Sequence, residues 1–170
     1  MACALTSSYT FRGCKGTLSG TDEIYVIECS NITSFTETAN VISTITPVAT
    51  KVWRKYVLDH EMAMDSSDLT YTAASGTLTS LHKIDFTIKN QTTSVQTELQ
   101  LLAQNNIYAI AKRANGTYWL YGRTRGLDVM GVTAGTSKEN TGFTGHNVTI
   151  QGLEPKMAIE VDSTIISGLF

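Results

Sequence analysis

The stretch DLTYTAASGTLTSLHKIDFTIKN, residues 68–90, contains two runs in which apolar and polar side chains alternate, separated by Ser75 and Gly76. Alternation with a period of two is typical of strands that bury one face, and Ser-Gly is a turn signal. The second run places three apolar side chains and one histidine on the same side: His82, Ile84, Phe86 and Ile88. These residues predict two long strands.

Further strand-type runs lie on both sides of this stretch. EIYVIEC (23–29) and NVISTIT (40–46) come before it, together with the longer TKVWRKYVLDHE (50–61). Beyond residue 106, IYAIAKRANGTYWLYGR is divided by Asn115-Gly116, the pair favoured in two-residue type I′ hairpin turns. The segments 127–134 and 146–155 are also strand-like, and the tail from 157 to 170 predicts one more strand.

One segment has the period of a helix instead. In TTSVQTELQLLAQNN (92–106), Thr93 and Gln96 have the spacing of a capping box. Four apolar side chains fall on one face and form the predicted core face of the helix: Val95, Leu99, Leu102 and Ala103.

The fold class that follows is mainly β with one helix (α+β). A single domain over 1–170 forms a β-sandwich or β-barrel with a flanking helix at 92–106. Residues 1–22, rich in Ser, Thr and Gly, are predicted to form an N-terminal arm. The strand runs within 50–74 are predicted to pair as a long hairpin arm, with the acidic stretch between them at its tip.

Composition limits the classes of function. Thr and Ser supply roughly a quarter of the positions, about twice their usual share, whereas only 16% of the residues are charged. Such a surface suits contact with protein. The net charge of −2 argues against nucleic-acid binding, which usually requires a basic stripe. Cys3, Cys14 and Cys29 lack zinc-ligand spacing and are expected to be reduced thiols of a cytosolic protein. No signal peptide and no membrane span are expected.

The acidic stretch DHEMAMDSSD (59–68) is the one candidate metal site. His60 and Glu61 begin a zincin motif, but Met64 stands where its second histidine is required. Asp65 and Asp68 lack the glycine and distal glutamate of a calcium loop. A solvated polar tip is the favoured interpretation, and no metal ligand is assigned.

Other catalytic signatures are missing from the sequence. It contains no GxSxG, P-loop or GxGxxG motif, and its three histidines are scattered. GRTRG (122–126) places Arg123 and Arg125 beside glycines, which would suit phosphate but more often provides surface ion pairs. We therefore expect neither an enzyme nor a bound cofactor.

The second half of the chain resembles virion structural proteins of tailed bacteriophages, including phages of Bacteroidetes. The similarity runs through FTIKN (86–90), ELQLLAQNNIYAIAKRANGTYWLYG (98–122) and NVTIQGLEPKMAIEVDSTII (147–166). It covers about half of the chain, and its motifs are structural rather than catalytic. The family looks like that of tail tube subunits.

The resemblance implies a small β-barrel or sandwich that forms rings, usually hexameric, stacked into a conduit for DNA. The implied partners are copies of the chain and other tail proteins, namely the tape measure, the terminator and, in sheathed tails, the sheath. Genomic DNA would pass without specific binding, and no membrane is involved. The implied location is the virion tail, assembled in the bacterial host cytoplasm.

The residues expected to contact neighbouring subunits belong to the predicted arm: Trp53, Tyr56, Leu58, Met62, Met64, Leu69 and Tyr71. Near its tip, Met62, Met64, Leu69 and Tyr71 would alternatively lie in the core of their own chain. Three other functions stay open: a neck, connector or capsid decoration protein, a metalloenzyme at His60, and a carbohydrate-binding sandwich. The last would use Tyr118, Trp119 and Tyr121.

Overall fold

The computed structural model of the protein describes residues 19–89, 91–136 and 144–169, and its strands form two sheets. The large sheet has the order β2-β3-β11-β8-β7-β1-β4. Its strands are β1 (Thr21–Glu28), β2 (Ile32–Thr38), β3 (Val41–Pro47), β4 (Arg54–Val57), β7 (Ile107–Arg113), β8 (Tyr118–Tyr121) and β11 (Ile159–Val161). The small sheet has the order β5-β6-β10-β9. It contains β5 (Ala63–Thr72), β6 (Thr77–Ile88), β9 (Asp128–Thr136) and β10 (Thr144–Glu154).

The prediction of a mainly β fold with one flanking helix is confirmed, in the form of a sandwich. Over the described ranges the two sheets stay separate and do not close into a barrel. Helix α1 (Thr93–Gln104) joins β6 to β7, and a one-turn helix α2 (Ser163–Ile166) follows β11. Residues 1–18 of the predicted N-terminal arm lie outside the described residues. Its last two residues, Thr21 and Asp22, belong to β1 and not to an arm.

Apolar side chains of the large sheet are buried on both of its faces. On β1, Ile24 and Val26 face the small sheet and pack with Ile84, Phe86, Val148 and Ile150. Tyr25 and Ile27 face the other way, into a second cluster with Ile42, Ile110, Leu120 and Trp53. The strand predicted at 23–29 and the alternation predicted for β6 are therefore confirmed, because successive side chains of a strand point to opposite faces.

Helix α1 is confirmed, with two corrections. Its N-cap is Thr92, whose hydroxyl accepts a hydrogen bond from the Val95 N–H at 3.4 Å, and not Thr93. Leu99 and Leu102 are buried and Val95 packs against the core, but Ala103 is exposed. At 100° per residue Ala103 lies about 80° around the helix from Val95, and its methyl group is too short to reach the core from there.

The hairpin predicted within 50–74 is wrong. β4 pairs with β1 in the large sheet, whereas β5 pairs with β6 in the small sheet, so residues 58–62 cross between the sheets. A long hairpin does exist, but it consists of β5 and β6. The turn that includes Ser75 and Gly76 closes it, with Gly76 at φ +64°. Closing this short loop costs less conformational entropy than pairing across the acidic stretch.

The type I′ turn predicted at Asn115-Gly116 is wrong, and positive φ at both central residues occurs instead at a turn that was not predicted. Asn115-Gly116 belongs to a longer loop in which the Arg113 N–H donates to the Thr117 carbonyl at 2.9 Å, and of the pair only Gly116 has positive φ. Between β2 and β3, Ala39 and Asn40 both have positive φ, as a type I′ turn requires. Strand β2 itself escaped prediction because ITSFTET carries little apolar alternation.

We expect Leu99→Ala to lower the free energy of unfolding by about 2–5 kcal/mol, because it leaves a cavity between α1 and the sandwich. Leu101→Ala is the matched control, since Leu101 is 51% exposed and its loss should cost under about 0.5 kcal/mol. Urea unfolding monitored by circular dichroism measures both. Equal losses would contradict the assigned helix face.

Candidate assembly surface

The small sheet has two unpaired edges within the described parts of the chain. β5 pairs only with β6 and β9 only with β10, so each presents one row of backbone N–H and C=O groups without a strand partner. Every neighbouring pair in this sheet is antiparallel. An edge of this kind is a template for pairing with another chain.

Strand β9 has little of the charge and none of the proline that often protect an edge strand. Its sequence DVMGVTAGT carries one charge, Asp128 at its first position, and no proline. Eight of its nine residues are exposed, including Met130 and Val132. A bulge near Met130 is the one irregularity in its pairing with β10. Because charges and prolines are what normally prevent edge-to-edge association, β9 is open to a partner strand.

The distal half of the β5–β6 hairpin extends beyond its neighbours. β10 follows β6 only as far as Ser80, so residues 69–79 form a two-stranded ribbon. Leu69 and Tyr71 of β5 lie on the same face of the ribbon as Leu78 of β6, since Tyr71 lies opposite Leu78. Nearer the base of the hairpin, the same face packs in the core between the sheets. In the ribbon no described residue covers these three side chains, which are 48%, 64% and 49% exposed. The ribbon is therefore an apolar surface without a partner.

The opposite face of the small sheet is polar and acidic. The register puts mainly hydroxyl, amide and charged side chains there: Met64, Ser66, Asp68, Thr70, Thr79, Leu81, Lys83, Asp85, Thr87, Asp128, Thr133, Asn147, Thr149, Gln151 and Leu153. Lys83 binds Asp85 at 2.6 Å, which neutralises both charges. Asp68 and Asp128 remain as net negative charge on this face.

A buried carboxylate ties the base of the hairpin to the large sheet. Asp65 of β5 accepts hydrogen bonds from Arg113 Nε at 2.8 Å, from the Thr21 hydroxyl at 2.5 Å and from the Tyr121 hydroxyl. The guanidinium group of Arg113 also lies 4.8 Å from the ring centre of Trp119. The Asp65 side chain is only 5% exposed. Three strands of the large sheet thus meet one residue of β5.

The surroundings of Asp65 hold it ionised. Burial by itself would raise the pKa of this carboxyl, but the hydrogen bonds from Arg113, Thr21 and Tyr121 and the charge of Arg113 bring it below its ordinary value. Burial and the neighbouring carboxylate raise the pKa of Tyr121. Tyr121 therefore remains a neutral donor to Asp65 at physiological pH.

We expect Asp65→Asn to destabilise the protein by about 3 kcal/mol, because it leaves the Arg113 charge without its counter-ion between the sheets. Asp68→Asn is the control: Asp68 lies three residues further along β5 and is exposed. Thermal unfolding at pH 7 compares the two variants. Equal melting temperatures would contradict the structural role of Asp65.

The motif GRTRG is a carboxylate-binding turn. The N–H groups of Thr124 and Arg125 donate to the buried Glu154 carboxylate at 3.0 and 2.7 Å, and Arg123 pairs with Glu37. Gly126 has φ +78°, and a Cβ there would lie 1.6 Å from Asn106 Oδ1. The predicted surface ion pair is present for Arg123, while the backbone donors are already engaged by the chain's own carboxylate.

Gly126→Ala should cost about 3 kcal/mol or more, because it combines an unfavourable φ with overlap onto Asn106 and Cys29. Gly116→Ala has a similar φ and open space around it, so it should cost only about 1 kcal/mol. Chemical denaturation of both variants measures the difference. If the two losses were the same, the close packing around Gly126 would be wrong.

The structure divides the predicted contact residues into two groups. Trp53 is buried in the second cluster, and Tyr56 and Leu58 pack against the first, so these three belong to their own core. Their assignment to a hairpin arm is corrected, because Arg54–Val57 is strand β4 of the large sheet, paired with β1. Met62 is half-buried, whereas Met64, Leu69 and Tyr71 are exposed.

The acidic stretch is dispersed. Asp59 pairs with Lys89 at 2.9 Å, His60 lies exposed with its Nδ1 3.7 Å from Asp22, and Asp65 points into the sandwich. Over the described ranges no group of three or more His, Cys, Asp or Glu side chains is arranged to hold a metal ion.

The proposed sugar-binding aromatics do not form a platform. Tyr121 is fully buried, Trp119 packs against the first cluster beneath Arg113, and Tyr118 packs against the second cluster on the other face.

Sequence reasoning missed three features of this surface: the edge position of the strand predicted at 127–134, the exposed Leu78 and the buried Asp65. The exposure of Leu78 could have been predicted, because Leu78 lies on the same side of its strand as His82 and Ile84 but next to the turn. The burial of Asp65 could not, since its partners are 44 to 56 residues away.

No known protein family, no curated protein and no solved structure matches the chain. None of the helices in the described ranges is long and apolar enough to cross a membrane.

Proposed function

We propose that the protein is a structural subunit that associates with copies of itself into rings, and specifically a tail tube subunit of a tailed bacteriophage. The observation that carries this proposal is the four-stranded antiparallel small sheet, which has no second partner at either edge within the described residues. The resemblance of the second half of the chain to virion proteins supports the specific assignment.

The strand directions suit a closed ring. Because all neighbours in the small sheet are antiparallel, β5 and β9 also run in opposite directions. If a second copy is related to the first by rotation about an axis parallel to the strands, its β5 therefore runs antiparallel to β9 of the first copy. Repeating that heterologous contact closes a barrel in which every junction is the same and no edge remains.

The hairpin supplies a second contact. Leu69, Tyr71 and Leu78 continue a core face beyond the sandwich, and covering them with a neighbouring copy would remove apolar area from water. Aromatic residues such as Tyr71 contribute strongly to interfaces of this type. In the tube this ribbon would reach the adjacent subunit or ring.

The polar face of the small sheet suits the bore. In a barrel formed by small sheets, this face would line the interior, since the other face packs against the large sheet. Hydroxyl and amide groups with net negative charge would not retain phosphates, whereas a basic lining would. DNA would pass without specific binding, and the proposal assigns no catalytic, metal or cofactor role to any residue.

The proposed setting is the virion tail, assembled in the bacterial host cytoplasm. Partners would be copies of the chain and the tape measure and terminator proteins.

Negative-stain electron microscopy of purified protein over a range of concentrations tests the proposal. We expect hollow tubes at high concentration. Isolated rings would indicate a neck, connector or decoration protein instead. Protein that stays monomeric at millimolar concentration would overturn self-assembly altogether.

We expect Val132→Lys to abolish tubes, because a charge on an edge strand opposes pairing with a second strand. The control is Val57→Lys, the same change on β4, one of the two edge strands of the large sheet, where Val57 is 71% exposed. Circular dichroism should show that both variants fold. Loss of tubes in both variants, or in neither, would contradict assembly through β9.

A further inference from the structure

His82 lies where the hairpin leaves the sandwich, and both of its ring nitrogens are engaged. The Gly122 N–H donates to Nδ1 at 3.1 Å, and Nε2 lies 3.0 Å from the Lys156 carbonyl. The Tyr121 ring and the imidazole form a T-shaped pair with their centroids 5.4 Å apart. The residue is 2% exposed.

These partners fix one neutral form of the imidazole. A backbone N–H can only donate, so Nδ1 must present its lone pair to Gly122. A carbonyl can only accept, so Nε2 must carry the proton that is donated to Lys156. A second proton, on Nδ1, would place two N–H groups against each other, and the bond to Gly122 would be lost.

The same region holds the connections between the two sheets. Glu154 binds the turn 122–126 that His82 also binds. The Ser67 hydroxyl accepts from the Ala158 N–H at 3.0 Å and bonds to Ser80. Turn 122–126 and segment 154–158 are thus fastened to the base of the hairpin by a few polar contacts, and His82 joins both.

The charged groups around the imidazole have both signs. Those near it or lining the adjoining cleft are Glu37, Arg123, Glu154, Lys156 and Glu160. Arg123 is paired with Glu37, which leaves Glu154 as the carboxylate that favours a proton on the ring. Burial opposes that proton and outweighs Glu154, so the pKa of His82 lies below its ordinary value.

We propose that His82 is a pH-sensitive latch: a second proton on its ring releases the turn 122–126 and loosens the base of the hairpin, which weakens assembly. The release of the turn follows from the contacts of His82 alone, whereas the effect on assembly rests on the proposed function.

The sign of the pH dependence follows from proton binding. The unfolded chain takes up a proton near the ordinary histidine pKa of 6.5, while the folded chain takes it up only at lower pH. Stability is therefore complete above about pH 6.5 and falls as the pH drops below it. One such group raises the unfolding equilibrium constant by up to about tenfold per pH unit.

Urea unfolding between pH 7.5 and pH 5.5 tests the latch, because this range lies above the titration of most carboxyl groups. We expect the unfolding constant of the wild type to rise several-fold at the acidic end. His82→Asn should remove this dependence, since an amide oxygen can accept from Gly122 without titrating. His60→Asn is the control and should keep the dependence, because the His60 side chain is exposed on the surface beside Asp22. A wild-type slope that persists in His82→Asn overturns the proposal.

A second measurement uses wild-type protein and therefore does not depend on whether a variant folds. Nuclear magnetic resonance of wild-type protein, held below its assembly concentration, should show His82 with Nε2 protonated and Nδ1 free at pH 7.5. The Gly122 amide proton should shift as His82 titrates below pH 6.5. The opposite tautomer, or a Gly122 signal that ignores the titration, overturns the latch.

The effect of pH on assembly is tested separately. Tubes that form at pH 7.5 should dissociate at pH 5.5 in the wild type and persist in His82→Asn. Tubes equally stable at both pH values would overturn the effect on assembly. If no tubes form at any pH, the proposed function fails, while unfolding and resonance data still decide on the latch.

Discussion

The position of the proposed assembly surface depends on the contact between Asp65 and Arg113. It joins β5, an edge strand of the small sheet, to β7 near the middle of the large sheet, with Thr21 and Tyr121 completing the hydrogen bonds. A buried ion pair adds little net stability compared with apolar packing, but one that has lost a partner is strongly destabilising. The value of this contact is therefore geometric: it fixes where the hairpin starts and which of its faces turns inward.

Along the hairpin, from its base to its tip, the same face changes from buried to exposed. Near the base, Ile84 and Phe86 are buried between the sheets, and His82 is held by Gly122 and Lys156. Beyond Ser80 the third strand ends, and the face that was core carries exposed Leu69, Tyr71 and Leu78. One continuous alternation thus serves internal packing near the base and, in the proposed tube, an external apolar contact further along. The polar base determines where the first ends and the second begins.

The acidic stretch that first suggested a metal site has a different use. Its residues separate into two surface ion contacts, a half-buried methionine and the carboxylate that ties the sheets together. The proposed tube requires no chemistry from these groups. It requires edges, an apolar ribbon and a face that does not hold phosphate, and all three lie on the small sheet.

The sequence by itself determined the local elements. Alternation located β1, β6 and β10, and the period of α1 identified Leu99 and Leu102 as its buried residues, because burial on one face imposes these periods directly on the chain. Pairing was decided only by the tertiary structure. The run at 50–61 joined β1 instead of its neighbour in sequence, Ala103 lay outside the buried stripe, and Asp65 found partners on three distant strands. Contacts between residues far apart in sequence leave no periodic trace, so neither the edges of the small sheet nor the polar base of its hairpin could be predicted from the order of the residues alone.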